Sequence, residues 1–256
     1  VKVGAFSKAV AREVGFAADV VLPPTHDTAA AVAAVPGEGP DVLYISSGTW
    51  SLIGTELAKA NNTEDARAKN WTNEGGVLGT FRFLKNIMGL WMIQCVKAEF
   101  DAKGEKKSFA EIAALSEKSS CRSIVDCDDA RFFAPKSMCE ALRAWCAEHG
   151  QAVPETLGDY AAVVYRSLAR RYADAVREIE ALTGRAYPAI NIVGGGSQNL
   201  YLNRLTAEAT GKTVWAGPAE GTAIGNLLIQ MIAAGEFKNL AAARVAVRDS
   251  FGVKRF

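Results

Sequence analysis

The sequence predicts an α/β fold, on three observations. An apolar run, Ile190–Val193, leads straight into three consecutive glycines, Gly194-Gly195-Gly196, and a helix-like stretch follows. The order of elements is mixed: strands come first, then helix, strand, loop, helix, strand and helix. The longest helical pattern, Thr156 to Thr183, stands between the early strands and the late ones.

The whole-chain properties bound the function. At 256 residues the chain is long enough for one large domain or two small ones. Hydrophobic residues are 49%, charged residues 22% and the net charge is +1, so nothing favours nucleic acid or a membrane surface as partner. No apolar run reaches the ~18 residues that span a bilayer, and Val1 to Val10 lacks a signal-peptide pattern. The five cysteines, Cys95, Cys121, Cys127, Cys139 and Cys146, form no C-x-x-C. With only His26 and His149 besides, a zinc site has few ligands, and reduced thiols in a cytoplasmic protein are expected. The first residue is Val1, which suggests a piece of something longer.

Taken in order, Phe6 to Gly15 reads as a short amphipathic helix, with Phe6, Val10 and Val14 on one face and Gly15 as C-cap. Val20-Val21-Leu22 is a short apolar run, and Pro23-Pro24 stops regular pairing. Thr25-His26-Asp27-Thr28 opens the alanine-rich stretch Ala29 to Val35. Asp27 or Thr25 reads there as an N-cap bonding the first free N–H groups. The other reading is a carboxylate held at a helix mouth and able to accept a proton. His26 alone reads as a hydrogen-bonding histidine.

Val42 to Ser47 is a strand, Gly48-Thr49 a turn, and Trp50 to Thr55 the returning partner. The hydroxyls of Ser46, Ser47 and Thr49, with the Gly48 N–H, either decorate a polar turn or bind phosphate oxygens. Ala58 to Lys69 reads as an exposed excursion, Trp71 to Gly76 as a turn and Val77 to Phe83 as a third strand. A helix is expected from Leu84 to Phe100, with Ile87, Met88, Trp91 and Cys95 as its apolar stripe. Asn86 and Gln94 sit off that stripe, either solvated or facing a ligand.

A charged loop, Asp101 to Lys107, precedes the helix Phe109 to Ser116. Cys127 to Phe133 reads as a solvated turn, because Asp128 and Asp129 lack the regularly spaced oxygen ligands of a metal loop. Met138 to His149 is a helix capped by Gly150, and Gly184 ends the long helix. Arg166, Arg170, Arg171 and Arg177 read as the long helix's solvated face. Leu200 to Thr210 is a helix, Thr213 to Trp215 a strand, Pro218 to Gly225 opens a helix to about Ala234, and Leu240 to Val245 is a short helix.

The glycine loop fits neither common nucleotide motif. A dinucleotide loop needs a last glycine where Asn199 stands, and a Walker loop needs Gly-Lys-Ser/Thr where Gln198-Asn199 stands. A loop of small residues still lets a flat or anionic ligand lie against bare backbone beside helix N–H groups.

Five motifs occur in order: Thr25-His26-Asp27-Thr28-Ala29, Tyr44 to Ser51, Asn73-Glu74-Gly75-Gly76, Phe81 to Trp91, and Gly194 to Asn199. Together they resemble the C-terminal half of the FGGY family of carbohydrate kinases, over nearly the whole chain. The resemblance implies an actin-like ATPase (ribonuclease-H-like) domain, the second of two with the active site in the cleft between them. Residues 1–256 would be that single domain, with the N-terminal kinase domain absent and expected as its partner. The implied reaction is ATP-dependent phosphorylation of L-rhamnulose at its C1 hydroxyl, in L-rhamnose breakdown. The alternatives are another ketose or polyol, or a non-catalytic nucleotide-binding member of the actin-like class.

The resemblance also assigns residues. Asp27 matches the catalytic base, and His26, Asp27, Thr28 and Asn86 would contact the sugar. Gly48, Thr49, Gln94, Gly195 and Gly196 would bind ATP, with Gly195 and Gly196 against the adenosine. Mg²⁺ would be held mainly through ATP and the missing domain, and no metal ligand is assigned here. The helix opening at Glu220-Gly221-Thr222-Ala223 would support the glycine loop.

Overall fold

The computed structural model describes residues 2–37, 39 and 41–256. The chain opens on β1 (Lys2–Ala5), α1 (Lys8–Val14) and β2 (Asp19–Val21), with the two strands antiparallel. Ser7 caps α1 by accepting from the Val10 N–H, and Gly15 closes it at φ +82. The expected helix is there, but Phe6 lies outside it. No residue from Lys2 to Asp27 is buried.

Burial begins abruptly at Thr28, inside α2 (Asp27–Ala33). The cap of α2 is His26, not Asp27 or Thr25: its side chain accepts from the Thr28 N–H. Then come β3 (Leu43–Ser47), β4 (Trp50–Leu57), α3 (Glu64–Ala68), β5 (Thr72–Gly75) and β6 (Phe81–Met88). The helices α4 (Trp91–Ala102), α5 (Phe109–Lys118), α6 (Met138–Glu148) and α7 (Leu157–Thr183) follow. The chain closes with β7 (Ala189–Val193), α8 (Leu200–Thr210), β8 (Thr213–Ala216), α9 (Gly221–Ala234), α10 (Leu240–Ser250) and β9 (Lys254–Arg255).

Among the described residues, seven strands form one mixed sheet in the order β5-β6-β4-β3-β7-β8-β9. β3, β7 and β8 run parallel, and the outer pairings are antiparallel. Strand alternation sorts the core to two faces. Leu43 and Ile45 pack into the large cluster around α7, whereas Val42 and Tyr44 pack with Ala31, Val32 and Val35 of the α2 region. α7 keeps one stripe against the sheet, with Tyr172 hydrogen-bonded to Ser51 at 2.6 Å. A capping box of Thr156 and Asp159 starts α7, and Gly184 ends it at φ +64.

Several expectations need correction. The helix expected from Leu84 begins only at Trp91, because residues 81–88 pair along the whole of β4, from Leu57↔Phe81 to Trp50↔Met88. A short apolar run fits either period, and long-range pairing decided it. Thr72–Gly75, read as a turn, is the edge strand on β6, and the excursion before it contains α3, capped by Thr63. Residues 130–132 form a 3-10 turn within the expected loop. β1 and β9 were not anticipated, and α10 runs five residues beyond Val245, to Ser250.

Candidate functional site

The parallel register of β3 and β7 fixes where the site lies. Ser46 pairs with Val193, so Ser47-Gly48 and Gly194-Gly195-Gly196 leave the sheet side by side. Ligands of parallel sheets bind beyond such strand ends. The glycines are needed for that approach. Gly194 has φ +86, and a Cβ on it would stand 2.8 Å from the Ser47 carbonyl oxygen. A Cβ on Gly196 would fall 1.9 Å from Ser47 Oγ. Gly195 has nothing within 4 Å of its Cβ position, so its exposed backbone is open to a ligand. The loop continues as a short 3-10 turn, Gly195–Gln198, before Asn199 caps α8.

The hairpin on the other side is tied to the next helix. The Gly48 N–H donates to the Trp50 carbonyl at 2.9 Å. The N–H groups of Leu90 and Trp91 donate to the carbonyls of Gly48 and Thr49 at 3.0 and 3.1 Å. Gly89 allows that crossing, since a Cβ there would meet the Trp50 backbone at 2.5 Å. Gln94, one turn into α4, accepts from the Thr49 hydroxyl at 3.5 Å.

Asp27 is the first residue of α2, and its side chain is 78% exposed. Its Oδ1 accepts from the Thr28 N–H at 2.7 Å and from the Thr28 hydroxyl at 3.4 Å. His26 Nδ1 shares that N–H at 3.3 Å. Thr28 is itself buried, so its polar atoms steady the carboxylate. The Thr222 hydroxyl at the start of α9 donates to the Asp27 carbonyl oxygen at 3.3 Å, fixing the backbone beneath it.

Two cavities meet at this point. A cleft of about 950 Å³ is lined by His26, Asp27, Thr28, Gly48, Thr49, Asn86 and Gly195. A second cavity of about 400 Å³ is lined by Gly48, Gln94, Gly195 and Gly196. Gly48 and Gly195 belong to both walls. All the expected site residues line one or the other of two spaces that share Gly48 and Gly195. Asn86 reaches the cleft from a strand and not from the expected helix; it is exposed, on the row opposite Leu52.

Sequence reasoning missed two parts of these walls. The smaller cavity has an apolar lining from α4, α5 and α7: Leu90, Ile93, Phe109, Ala113 and Tyr165. Burial pushes the Tyr165 phenol up to about 12, against the pull of a hydrogen bond with the Asn199 side chain, so it stays neutral. The larger cleft has a charged end. Lys85 bonds Glu178 at 2.6 Å, and Arg171 bridges Glu178 and Asp128 at 3.2 and 2.6 Å. Burial works against the Glu178 carboxylate. The hydrogen bonds from Lys85 and Trp71, with the Lys85 and Arg171 charges, outweigh it and hold its pKa below the usual carboxylate range. Arg171 is 14% exposed and so is no part of a solvated face, unlike Arg170 and Arg177. Arg166 also leaves that face, reaching the Tyr201 hydroxyl at 3.4 Å. Lys85 had no local signal: Phe81 to Asn86 does not alternate, and residues 82–85 are all buried.

Among the described residues no group of three or more His, Cys, Asp or Glu side chains is placed to hold a metal ion. No helix of the described residues is long and apolar enough to cross a membrane. The five cysteines are unpaired thiols, and burial pushes Cys139 up to about 12 and Cys127 higher still.

The family description "FGGY family of carbohydrate kinases, C-terminal domain" matches residues 43–234. The chain belongs to this family. Among curated proteins, the rhamnulokinase of Halalkalibacterium halodurans is 48% identical over 244 residues, 95% of this chain and 51% of that protein. The rhamnulokinase of Bacillus subtilis is 45% identical over 240 residues, 94% of this chain and 49% of that protein. The chain spans about half the length of the curated relatives it matches. Among solved structures, a ligand-bound xylulose kinase from Lactobacillus acidophilus matches 97% of this chain and 49% of its own, with TM-score 0.67 and 11% identity. A Plasmodium falciparum glycerol kinase with ADP matches 89% of this chain and 44% of its own, with TM-score 0.59 and 10% identity. At such identities these structures speak for the fold, which is the actin-like C-terminal domain expected of FGGY sugar kinases.

Proposed function

We propose that this chain is the ATP-side half of a sugar kinase that phosphorylates L-rhamnulose at its C1 hydroxyl, and that Asp27 is the general base. The observation that carries the reading is the shared wall of the two cavities. Gly48 and Gly195 stand between a space holding Asp27 and Asn86 and a space with an apolar lining. A nucleoside fits the apolar space, a sugar hydroxyl fits beside Asp27, and the transferred phosphoryl group lies between them. The named relatives at 42–48% identity are rhamnulokinases, which favours L-rhamnulose over other ketoses and polyols.

In this reading Asp27 takes the proton of the sugar hydroxyl as that oxygen attacks the γ-phosphorus. Thr28 and His26 keep the carboxylate turned to the cleft, and Asn86 orients the sugar from the strand side. The Thr49 hydroxyl and the Gly48 and Gly195 backbones bind the phosphates, with Gln94 holding Thr49. Gly196 packs the loop onto Ser47 and so shapes the adenosine wall. General-base help contributes about 10²–10⁴-fold, and positioning supplies the remainder. Magnesium would be held through the nucleotide phosphates, where it would offset their charge. The open, exposed setting of Asp27 fits a site completed by an N-terminal kinase domain across the cleft.

The test is sugar selectivity. The chain joined to the preceding half of a family member is assayed with ATP and L-rhamnulose, xylulose, fuculose or glycerol. Preference for L-rhamnulose supports the reading. Preference for another sugar would keep the Asp27 chemistry and move the substrate, and ATP binding without any transfer would favour a non-catalytic role.

A further inference from the structure

We infer that the cavity at the starting ends of β3 and β7 is a binding site for a small, neutral aromatic molecule carrying an N–H or O–H donor, read by the side-chain oxygen of Asn191. Such a site stands apart from the proposed kinase chemistry and does not depend on it.

Asn191 stands in the middle of β7, between Ile190 and Ile192. Both neighbours of β7, β3 and β8, run parallel to it, and such interior strands are ordinarily continuous apolar runs. Asn191 breaks the run and is only 4% exposed. Its Nδ2 donates to the Leu43 carbonyl at 3.1 Å. That bond fixes the orientation of the amide, since its oxygen turned the same way would face another acceptor. Among the described residues, Asn191 Oδ1 has no hydrogen-bond partner. A buried acceptor left unpaired is costly, and native structures keep few of them without a reason. The register pairs Asn191 with Tyr44 on β3 and with Trp215 on β8. The amide therefore lies in a row between two rings on one face of the sheet.

That row borders a cavity of about 490 Å³, whose lining includes Asn191, Val42, Pro188, Ala189, Trp215 and Val253. The volume is that of a small-molecule site, and so is the make-up, apolar walls with a few polar groups that set orientation. An indole ring, a proline ring and aliphatic side chains suit a flat ring system. The charged residues on the wall are already engaged: Asp41 pairs with Arg185 at 3.3 Å, and Arg248 with Asp249 at 3.5 Å. The Asn191 oxygen accepts and cannot donate. These features select a neutral, flat ligand with a donor. The cavity is separate from the two beside the glycine loop. It lies where β3 and β7 begin, whereas Ser47 and Val193 end those strands at the cleft, and it shares no lining residue with either space. A ligand can therefore occupy it while the cleft holds a nucleotide.

The experiment uses indole as the probe and benzofuran as its match in shape without the N–H. Each is titrated into the nitrogen-labelled 256-residue chain, and binding is read from the side-chain N–H signals of its five tryptophans. Trp215→Phe assigns the signal of Trp215. Indole moves that signal and saturates with a Kd of about 1 mM or below. Benzofuran binds about fivefold or more weakly, because it leaves the Asn191 oxygen unpaired. Saturating ADP leaves the indole affinity unchanged. Ala189→Phe, which fills the cavity from a half-buried wall position, abolishes the shift. Should that variant not fold, the comparison of indole with benzofuran on the unaltered chain still decides. Equal affinity for the two overturns the inference, because Asn191 then reads no donor. So does a Trp215 signal that indole does not move, or indole binding that persists in folded Ala189→Phe. Indole displaced by ADP overturns it too, since the probe then sits in the nucleotide cavity.

Discussion

Gly225 lies so close to Ala30 that a Cβ on it would stand 1.7 Å from the Ala30 carbonyl oxygen. The helices α9 and α2 meet there backbone to backbone, and one turn earlier Thr222 holds the Asp27 carbonyl. The helix that carries Asp27 is thus positioned by α9, so the segment from Glu220, expected to support the glycine loop, also supports α2. Gly225→Ala should force the helices apart and cost about 3 kcal/mol or more, the top of the range for overpacking. Thermal unfolding checks it, and an unchanged Tm would show that the contact yields.

The three glycines of the loop should not behave alike. Gly196→Ala puts a methyl 1.9 Å from Ser47 Oγ and 2.6 Å from its Cβ, so stability falls by about 1–3 kcal/mol. Ser47→Gly beside it removes both obstacles, and the double variant should be no less stable than Ser47→Gly alone. Gly195→Ala meets nothing in the protein, so its Tm should hold while nucleotide affinity drops. Unfolding curves with ADP titrations separate the two effects.

Phe109 is 49% exposed at the rim of the smaller cavity, with Lys97 5.8 Å from its ring centroid. If the base lies there, stacking on Phe109 contributes about 1–3 kcal/mol. Phe109→Ala should weaken ADP binding by roughly 5- to 100-fold, leaving pyrophosphate binding and the Tm unchanged. Equal ADP affinity in calorimetry would move the base elsewhere.

Glu178 makes stability depend on acid. Its pKa is held down in the folded protein by Lys85, Trp71 and Arg171 against the cost of burial. A depressed pKa contributes stability that is complete above the unfolded value, near ~4.3, and is lost as pH falls through the folded one. Asp159, Glu99 and Glu180 are shifted the same way. Glu178→Gln should cost about 1.5–3 kcal/mol at pH 7 and flatten part of the decline below pH 4. Denaturant midpoints across pH 3–7 for both proteins check the sign.

The local signals were legible because they are short-range. Gly15 and Gly184 close their helices in the left-handed region as the sequence pattern suggested, and the strand into Gly194 needs only a run of apolar residues. The motifs also named residues that the fold gathers around two neighbouring cavities. The stretch from Leu84 to Met88 was misread because its apolar spacing fits a helix, and only pairing with β4 across the hairpin shows otherwise. Gly89 held the clue: a glycine inside an expected helix marks a close backbone crossing. Arg171 reads as solvated in the sequence because one partner, Asp128, is 43 residues away, and although Glu178 stands two turns along the same helix, nothing local shows that this edge of α7 meets Lys85 and Asp128. The apolar cavity wall was invisible because it is assembled from α4, α5 and α7, which are distant in sequence and contribute no more than three side chains each.

The most direct test of the account is Asp27→Asn in the protein with its preceding half restored, measured as L-rhamnulose phosphorylation beside ATP affinity. The account predicts a fall in kcat of about 10²–10⁴-fold with ATP affinity and Tm preserved, because Asp27 does not line the smaller cavity and its side chain is exposed. Turnover of Asp27→Asn within a few-fold of the unaltered protein would contradict it and remove Asp27 from the role of base.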